Sequence, residues 1–426
     1  MDKKYYHTLK ETLFHEQLDN GLNVYLLKKE GFIKTYGIFT ANFGSNDNEF
    51  IPRGQSDFIK VNDGIAHFLE HKMFYTKDGV DANELYAKLG ASSNAYTTNN
   101  QTSYLFSTTQ KENECIELLL DFVQALDLTE ESVEKEKGII EQEIKMYDDD
   151  PSWRLYFGSI AALYVNHPNN TDIAGTVESV NRITKAELDL CYETFYHPDN
   201  MMLFIVGNID IEDTMALIRA NQNQKQFAPR QEIVRKKVDE PDHIAVKYQE
   251  IKMDVNVEKL FLSIKVNDVP SDPIESLRRD IAFNLFFDCV FAKSSDLYNS
   301  WLEKGLINSS FETNFTQSRD TAFIQMGGDC EDRKTFEKTL IEFVANIDRV
   351  TIDEATFLRL KKRDIGNFIL AFNSIEPIAS NFSRYYYEGV NAFEVVDVMQ
   401  EITLDEVLAV RKYFNEKLMA ITIIKK

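Results

Sequence analysis

The feature that most limits what this chain can be is the pentapeptide His67–His71, which reads His-Phe-Leu-Glu-His. Its apolar neighbours recur at helical spacing, so we predict a helix here, with Asn62 or Asp63 able to cap the first turn. On a helix, His67 and His71 lie one turn apart on the same face. Two imidazoles in this arrangement can bind one Zn²⁺ ion.

The residue between the histidines, Glu70, makes this pair more specific. Two histidines four residues apart on an amphipathic helix are often ordinary surface or core residues. With Glu70 they form the order H-x-x-E-H, which is a zinc-peptidase motif. Glu70 can then accept a proton from a water molecule at the metal. A catalytic zinc site also needs a third protein ligand and an open position, so a further ligand is expected elsewhere in the chain.

Composition and charge exclude several classes of function. The chain has 426 residues, of which 43% are hydrophobic, and this is enough for at least two domains with cores of their own. Its formal net charge of −22 argues against binding to nucleic acid or to anionic membranes. The charge favours neutral or basic peptides, although a role in solubility explains it equally well.

The polar N-terminus, the lack of long apolar segments and the scattered cysteines indicate where the protein is located. The N-terminal residues are polar, with no apolar run of signal-peptide length, and no segment reaches the roughly 18 apolar residues of a membrane span. The four cysteines are scattered, which argues against a disulfide scaffold or a cysteine-bound zinc. We therefore expect no membrane span and a reducing, cytoplasmic location.

An internal repeat sets the predicted fold. The strand Ser103–Phe106 recurs as Thr321–Ile324, and Ile183–Glu187 recurs as Ile402–Glu406, at offsets of about 218–223 residues. The order of elements is similar in both halves, so we predict an α+β fold of two homologous domains, each a mainly antiparallel sheet covered by helices on one face. The predicted parts are an N-terminal zinc-binding domain at 1–221, a linker at 222–245 and a C-terminal domain without zinc at 246–426.

The repeat also predicts that only one half carries metal chemistry. The same offset places Leu285–Cys289 opposite the pentapeptide, and both histidines are replaced there. A duplicated fold with a single working site accounts for this difference between the halves.

The third ligand is sought in an acidic helix predicted at 130–147. Most of its glutamates are expected to be solvated surface charges. Glu136 and Glu143, however, are seven residues apart and share a face beside an apolar stripe. A buried carboxylate needs a cation or hydrogen-bond donors, so Glu143 is a candidate zinc ligand and Glu136 could hold a ligand in place.

The two motifs together resemble the pitrilysin/insulinase family of zinc metallopeptidases, the inverzincins. The resemblance is carried by H-F-L-E-H and, some seventy residues on, by E-K-G-I-I-E-Q-E-I, and it is closest to the shorter bacterial branch that is similar to mitochondrial processing peptidase. It implies that His67, His71 and Glu143 bind zinc, that Glu70 is the general base, and that Glu136 supports a ligand.

The resemblance also implies a substrate strand. In the family, the strand corresponding to Asn94, Ala95, Tyr96 and Thr97 is a sheet edge to which a peptide adds as an extra strand. An ordinary internal strand is the alternative. Its small and polar residues favour an accessible edge.

One expected feature is missing. Family members carry an Arg and a Tyr about seven residues apart in the C-terminal half, where they reach the substrate carbonyl. The matching region contains Arg319 but no suitably spaced tyrosine, which leaves Arg384 and Tyr386 as candidate substitutes. Some relatives obtain the pair from a homologous subunit, so we expect a homodimer or a heterodimer with a homologue.

The sequence therefore predicts a bacterial zinc endopeptidase that hydrolyses short, unstructured peptides. The alternative is a non-catalytic subunit that binds peptides or has a structural role in a processing-peptidase-like heterodimer. A purely structural zinc site is disfavoured, because such sites fill four positions, usually with cysteine.

Overall fold

A computed structural model describes residues 1–75 and 79–426. The chain forms two compact units, each assembled from three segments. Unit 1 comprises Met1–Ile144, Asp172–Lys237 and Leu370–Phe393, and unit 2 comprises Lys145–Thr171, Val238–Ile369 and Glu394–Lys426. The domain boundaries predicted at 1–221 and 246–426 follow the sequence repeat. Each compact unit instead combines segments from both halves of the chain.

The strands of the described residues belong to three sheets. They are β1 (Asp2–Tyr6), β2 (Glu11–Gln17), β3 (Asn23–Lys28), β4 (Thr35–Ala41), β5 (Glu49–Ile51), β6 (Ile59–Lys60), β7 (Ser92–Thr97), β8 (Thr102–Thr108), β9 (Met201–Gly207), β10 (Val234–Arg235), β11 (Tyr248–Lys252), β12 (Glu258–Val266), β13 (Glu312–Gln317), β14 (Ala322–Cys330) and β15 (Met419–Lys425).

The α-helices lie between groups of these strands along the chain. They are α1 (Ile65–Met73), α2 (Ala82–Leu89), α3 (Glu112–Val123), α4 (Glu130–Asp148), α5 (Pro151–Ala161), α6 (Val177–Arg182), α7 (Lys185–Phe195), α8 (Ile211–Asn223), α9 (Pro273–Phe291), α10 (Asp296–Glu303), α11 (Arg333–Ala345), α12 (Glu354–Ala371), α13 (Ile375–Tyr387), α14 (Val395–Glu401) and α15 (Leu404–Ala409). In the part of the chain that the structure describes, none of them has the length and hydropathy needed to cross a membrane.

Unit 1 contains a seven-stranded sheet in the order β1-β2-β3-β9-β4-β8-β7. Only β3 and β9 pair in parallel, and the other neighbours are antiparallel. A small sheet in the order β10-β5-β6 completes the unit. Strand β7 therefore lies at an edge of the large sheet.

Unit 2 contains a five-stranded sheet in the order β11-β15-β12-β14-β13. Its single parallel pair is β11 with β15. This order and these directions match β3-β9-β4-β8-β7 of unit 1, which confirms the predicted duplication and the mainly antiparallel α+β fold class.

Helices cover both faces of the unit 1 sheet. One face carries Leu26, Phe39 and Leu203, which belong to a core with residues of α1, α3 and α8. Because strand side chains alternate between faces, the neighbouring residues point the other way. There Phe204 stacks on Phe382 of α13, with ring centroids 4.6 Å apart. The sequence predicted helices on one face of the sheet only. In the structure α13, from late in the chain, covers the other face as well.

Unit 2 has a corresponding helix. Helix α5 packs against β12 and β15. Its Leu155 shares a small core with Phe261 and Ile424. Each sheet is therefore packed against one helix that comes from the other half of the sequence. This helix is α13 in unit 1 and α5 in unit 2.

The start of α1 differs from the prediction that Asn62 or Asp63 caps it. The N-cap is Gly64, at φ +88°, and no side chain caps the helix. A Cβ atom at Gly64 would lie 2.4 Å from the Ala174 carbonyl oxygen. Glycine is required because the turn needs a positive φ and brings two backbones into close approach.

Candidate metal centre

Helix α1 presents the pentapeptide because its apolar side is firmly buried. Ile65, Phe68 and Leu69 are in the core of unit 1. Full burial of a Phe or Leu side chain contributes about 1.5–3 kcal/mol each, so the orientation of the helix is well determined. The half-buried His67 and His71 consequently leave the helix on its flank, with ring centroids 4.6 Å apart.

Helix α4 brings the carboxylates to the histidines. Its buried residues include Glu136, Ile140 and Ile144, which lie at helical spacing on one side. Glu143 is half-buried beside them, whereas Glu134 on the other side is exposed. The predicted shared face of Glu136 and Glu143 is therefore observed.

Three donor atoms converge between the two helices. One atom each of His67, His71 and Glu143 lies within 4.8 Å of the others, and this is the one such group of three found among the described residues. Glu143 Oε2 lies 3.8 Å from His67 Nε2 and 3.5 Å from His71 Nε2.

These separations fit a shared metal ion. They exceed the usual length of an N–H···O hydrogen bond, about 2.7–3.2 Å. Two donors that bind one zinc tetrahedrally, at about 2.0–2.1 Å each, lie about 3.3–3.4 Å apart. Two imidazoles and one carboxylate are also the donor types that catalytic zinc sites use. The residues present can therefore hold zinc.

His71 is oriented by a partner on its other ring nitrogen. His71 Nδ1 lies 3.2 Å from Glu136 Oε1. An imidazole that donates Nδ1–H to a carboxylate keeps the Nε2 lone pair for a metal. His67 Nδ1 is buried, and no hydrogen-bond partner for it is found within 1–75 and 79–426.

The pKa values of the two histidines differ. Burial, assisted by His71, lowers the pKa of His67 to about 3, so this imidazole is neutral. Burial also acts to lower the pKa of His71, but the hydrogen bond with Glu136 and the charges of Glu70 and Glu143 raise it above its ordinary value. Metal binding would therefore compete with a proton at His71 but not at His67.

Glu70 is placed beside the ligands but is not one of the three. Its carboxylate is buried, and Oε2 accepts a hydrogen bond of 2.7 Å from the Thr97 hydroxyl. Burial raises the pKa of Glu70, and the bond from Thr97 acts in the opposite direction. A carboxylate with a raised pKa in this position is suited to accept a proton.

The predicted substrate strand, β7, lies at one of the two edges of the sheet. Within residues 1–75 and 79–426, strand β7 pairs with β8 alone, and its residues Asn94, Ala95, Tyr96 and Thr97 are partly or fully exposed. The Ala95 amide donates to Asn94 Oδ1 at 3.0 Å. This N–H therefore faces away from β8, where an added strand would find it.

Arg384 and Tyr386 are not brought to this group. Both lie on α13, on the sheet face opposite the core that holds α1. Arg384 pairs with Glu388 at 3.5 Å, and Tyr386 packs against Tyr25.

The sequence prediction missed Lys72, and it placed Thr97 only on the substrate strand, without its bond to Glu70. Lys72 is buried and lies 3.3 Å from Glu136 Oε2, and Thr97 uses its hydroxyl to bind Glu70. A signal existed for Lys72, because it falls in the apolar stripe of α1 with Phe68 and Leu69. No local pattern indicated the bond made by Thr97.

The corresponding place in unit 2 lacks metal ligands. Asp288 and Cys289 take the positions of Glu70 and His71, and Asp288 pairs with Arg363. Burial and nearby acidic groups raise the pKa of Cys289 to about 12, so its thiol is not a ready ligand.

Comparison with known proteins gives a consistent result. A family model described as insulinase (peptidase family M16) matches residues 58–177, and one described as the peptidase M16 inactive domain matches 182–363. The zinc protease YmfH of Bacillus subtilis, whose own activity is uncharacterised, is 45% identical over 94% of both chains.

Solved structures share the fold. A structure from Alicyclobacillus acidocaldarius described as an M16-like peptidase has a TM-score of 0.92 and 34% identity, covering 97% of this chain and 98% of that one. A protease from Helicobacter pylori has a TM-score of 0.85 and 18% identity, covering 97% and 99%.

Proposed function

Because this chain belongs to the insulinase family of peptidases, family M16, we propose that it is a zinc-dependent endopeptidase acting on short, unstructured peptides. His67, His71 and Glu143 hold the metal, Glu70 is the general base, and Glu136 supports His71. The observation that carries the proposal is the convergence of His67, His71 and Glu143 within 4.8 Å, from two helices far apart in sequence.

The metal ion and the chain's own residues have different roles in the proposed hydrolysis. When bound, a zinc ion supplies a Lewis acid and lowers the pKa of the water it holds toward about 7. Glu70 accepts the proton of the attacking water and passes it to the leaving amine. The hydrogen bond from Thr97 to Oε2 holds the Glu70 carboxylate in place for this proton transfer.

The peptide is held by main-chain bonds along β7. An extended segment that pairs with this edge replaces Asn94 Oδ1 as the acceptor of the Ala95 amide. Recognition of this kind needs an unfolded segment and reads little of its sequence. It therefore supports unstructured peptides as the substrate class.

Thr97→Val should reduce turnover while zinc binding stays unchanged. The valine has the same shape but cannot donate to Glu70, and loss of a hydrogen bond to a charged group should lower kcat by about tenfold to a hundredfold. The bond favours the carboxylate form, so its loss should raise the pKa of Glu70 and move the acidic limb of the kcat/KM profile to higher pH. Steady-state kinetics against pH measure both effects.

Thr97→Ser is the matched control for this prediction. It keeps the hydroxyl and should restore most of kcat. If valine and serine reduce kcat equally, or if KM alone changes, Thr97 does not act through Glu70.

A second, homologous subunit would complete the site. Arg384 and Tyr386 lie on the sheet face away from α1, so this unit offers no Arg/Tyr pair at Glu70 from α13. We expect the active species to be a homodimer, or a heterodimer with a homologue. Peptide cleavage measured alongside molecular mass across a dilution series tests this. Full activity in a proven monomer would contradict the partner proposal and leave the peptidase proposal standing.

The peptidase proposal is tested with the full chain alone and mixed with homologous subunits. We expect about one zinc per chain, cleavage of quenched fluorescent peptides, loss of cleavage with a chelator and recovery on adding zinc. Mass spectrometry of the products identifies the bonds cut. A zinc-loaded chain that binds peptides but cuts none, under any of these conditions, would favour the non-catalytic subunit instead.

A further inference from the structure

Lys72 is buried beside the proposed metal centre. It directly follows His71 on α1 and is only 3% exposed. A lysine charge in this position is unfavourable unless it is paired and hydrogen-bonded. Its ammonium group lies 3.3 Å from Glu136 Oε2, 3.3 Å from the Ser132 carbonyl oxygen and 4.3 Å from the centre of the Tyr75 ring.

The Glu136 carboxylate is shared between this lysine and a metal ligand. Oε2 accepts from Lys72, while Oε1 lies 3.2 Å from His71 Nδ1. Glu136 is itself only 4% exposed, so its carboxylate depends on such donors. Two donors on separate oxygens fix the rotation of the carboxylate group. Removal of one donor frees the carboxylate to turn away from the other.

We propose that Lys72 is a positioning residue for the metal centre: it holds Glu136 in the orientation that fixes the His71 ring with Nε2 toward the zinc. This inference rests on the proposed function, which assigns His71 and Glu143 to a metal ion. Lys72 acts through Glu136 and touches neither metal nor peptide.

The charges around the site support this role. Glu70, Glu136 and Glu143 place three carboxylates near one another, and among the described residues Lys72 pairs with Glu136. This pairing is made by the protein itself and remains when no metal is bound.

The other half of the duplication is consistent with the assignment. At the offsets that align the two halves, Val290 takes the position of Lys72 and Arg359 that of Glu136. The half without metal-binding histidines has thus also lost the lysine and the glutamate. The joint absence of the pair and the histidines is what a role at the metal centre predicts.

Lys72→Met tests the proposal through zinc affinity, measured by competition with a chelator, without peptide and well below the unfolding temperature. Residues that support a metal ligand typically change affinity by about 10–100-fold, and we expect Lys72→Met and Glu136→Gln each to weaken zinc binding by this amount. Lys137→Met, next to Glu136 on α4 and paired with Glu134, is the matched control and should change affinity by less than about twofold.

The double variant shows whether Lys72 acts through Glu136. Lys72→Met combined with Glu136→Gln should bind zinc no more than about threefold more weakly than Glu136→Gln alone. This comparison also serves if Lys72→Met alone fails to fold, since the double variant leaves no unpaired buried charge. Additive losses in the double variant would overturn the proposal.

Two other results have distinct meanings. If Lys72→Met lowers the unfolding temperature but keeps wild-type zinc affinity, the pair is only structural and the inference is wrong, while the proposed peptidase stands. If the wild-type chain itself binds no zinc through His67, His71 and Glu143, the proposed function is wrong, and the inference falls with it.

Discussion

Glu70→Gln should abolish nearly all peptide cleavage while the zinc content stays at the wild-type level. Glutamine has the same size and can still accept the hydrogen bond from Thr97, which lies 2.7 Å from Glu70 Oε2. It cannot accept the proton of the attacking water. General acid–base catalysis contributes about 10²–10⁴-fold, so kcat should fall by this factor. Metal analysis and cleavage of a quenched peptide measure the two quantities on one sample.

The zinc content decides how the result is interpreted. Glu70 is outside the group of three donor atoms, so the substitution should leave that group intact. A variant that loses zinc along with activity would make Glu70 a ligand and contradict its assignment as the base. Glu134→Gln, an exposed glutamate on α4, is the control and should keep both zinc and activity.

Glu70→Gln also provides a stable complex for studying the substrate. Because the variant should bind peptides without cutting them, its affinity reports peptide binding without the chemical step. Comparison of this affinity with the wild-type KM separates peptide binding from the chemical step.

The parts of the site that could be predicted from sequence depend on local geometry. The positions of His67, Glu70 and His71 on one helix follow from residue spacing alone. The shared face of Glu136 and Glu143 follows in the same way. The duplication was evident because each half repeats its strands and helices in one order, and the matching sheet orders confirm it.

The parts that could not be predicted depend on contacts distant in sequence. Gly64 begins α1 because the backbone of Ala174 approaches it, which no helix-capping pattern reveals. Lys72 acquires its role only when α4 places Glu136 beside it. The location of Tyr386 follows from α13 packing on the far face of the unit 1 sheet, although it lies late in the chain. A pattern within one element cannot show which other element it meets.

The two helices contribute unequally to the proposed centre. Helix α1 supplies two ligands and the base within one turn, and α4 supplies the third ligand and the support for His71. The α1 residues therefore mark the chemistry in the sequence, whereas the identity of the α4 ligand depends on how the helices pack. Of the three proposed ligands, Glu143 is the one that sequence spacing alone left open.

Glu143→Gln should weaken zinc binding by more than the roughly 10–100-fold that is typical of supporting residues, because it removes a direct ligand. The amide keeps the shape of the side chain but lacks the negative charge that attracts the ion. Activity should fall with zinc occupancy and should recover in part when zinc is added in excess. Chelator competition gives the affinity, and activity against free zinc shows whether the two are linked.

Two further substitutions on α4 separate the ligand from its neighbours. Glu141→Gln, two residues away and outside the donor group, should leave zinc affinity unchanged. Glu143→Asp keeps the charge but shortens the side chain by one methylene, so its affinity should lie between those of the wild type and Glu143→Gln. Glu143 Oε2 lies 3.5 Å from His71 Nε2 and 3.8 Å from His67 Nε2. If Glu143 binds the metal directly, zinc affinity should therefore fall both when its charge is removed and when its side chain is shortened. Wild-type zinc affinity in Glu143→Gln would show that the metal, if bound at all, is held by a different third ligand.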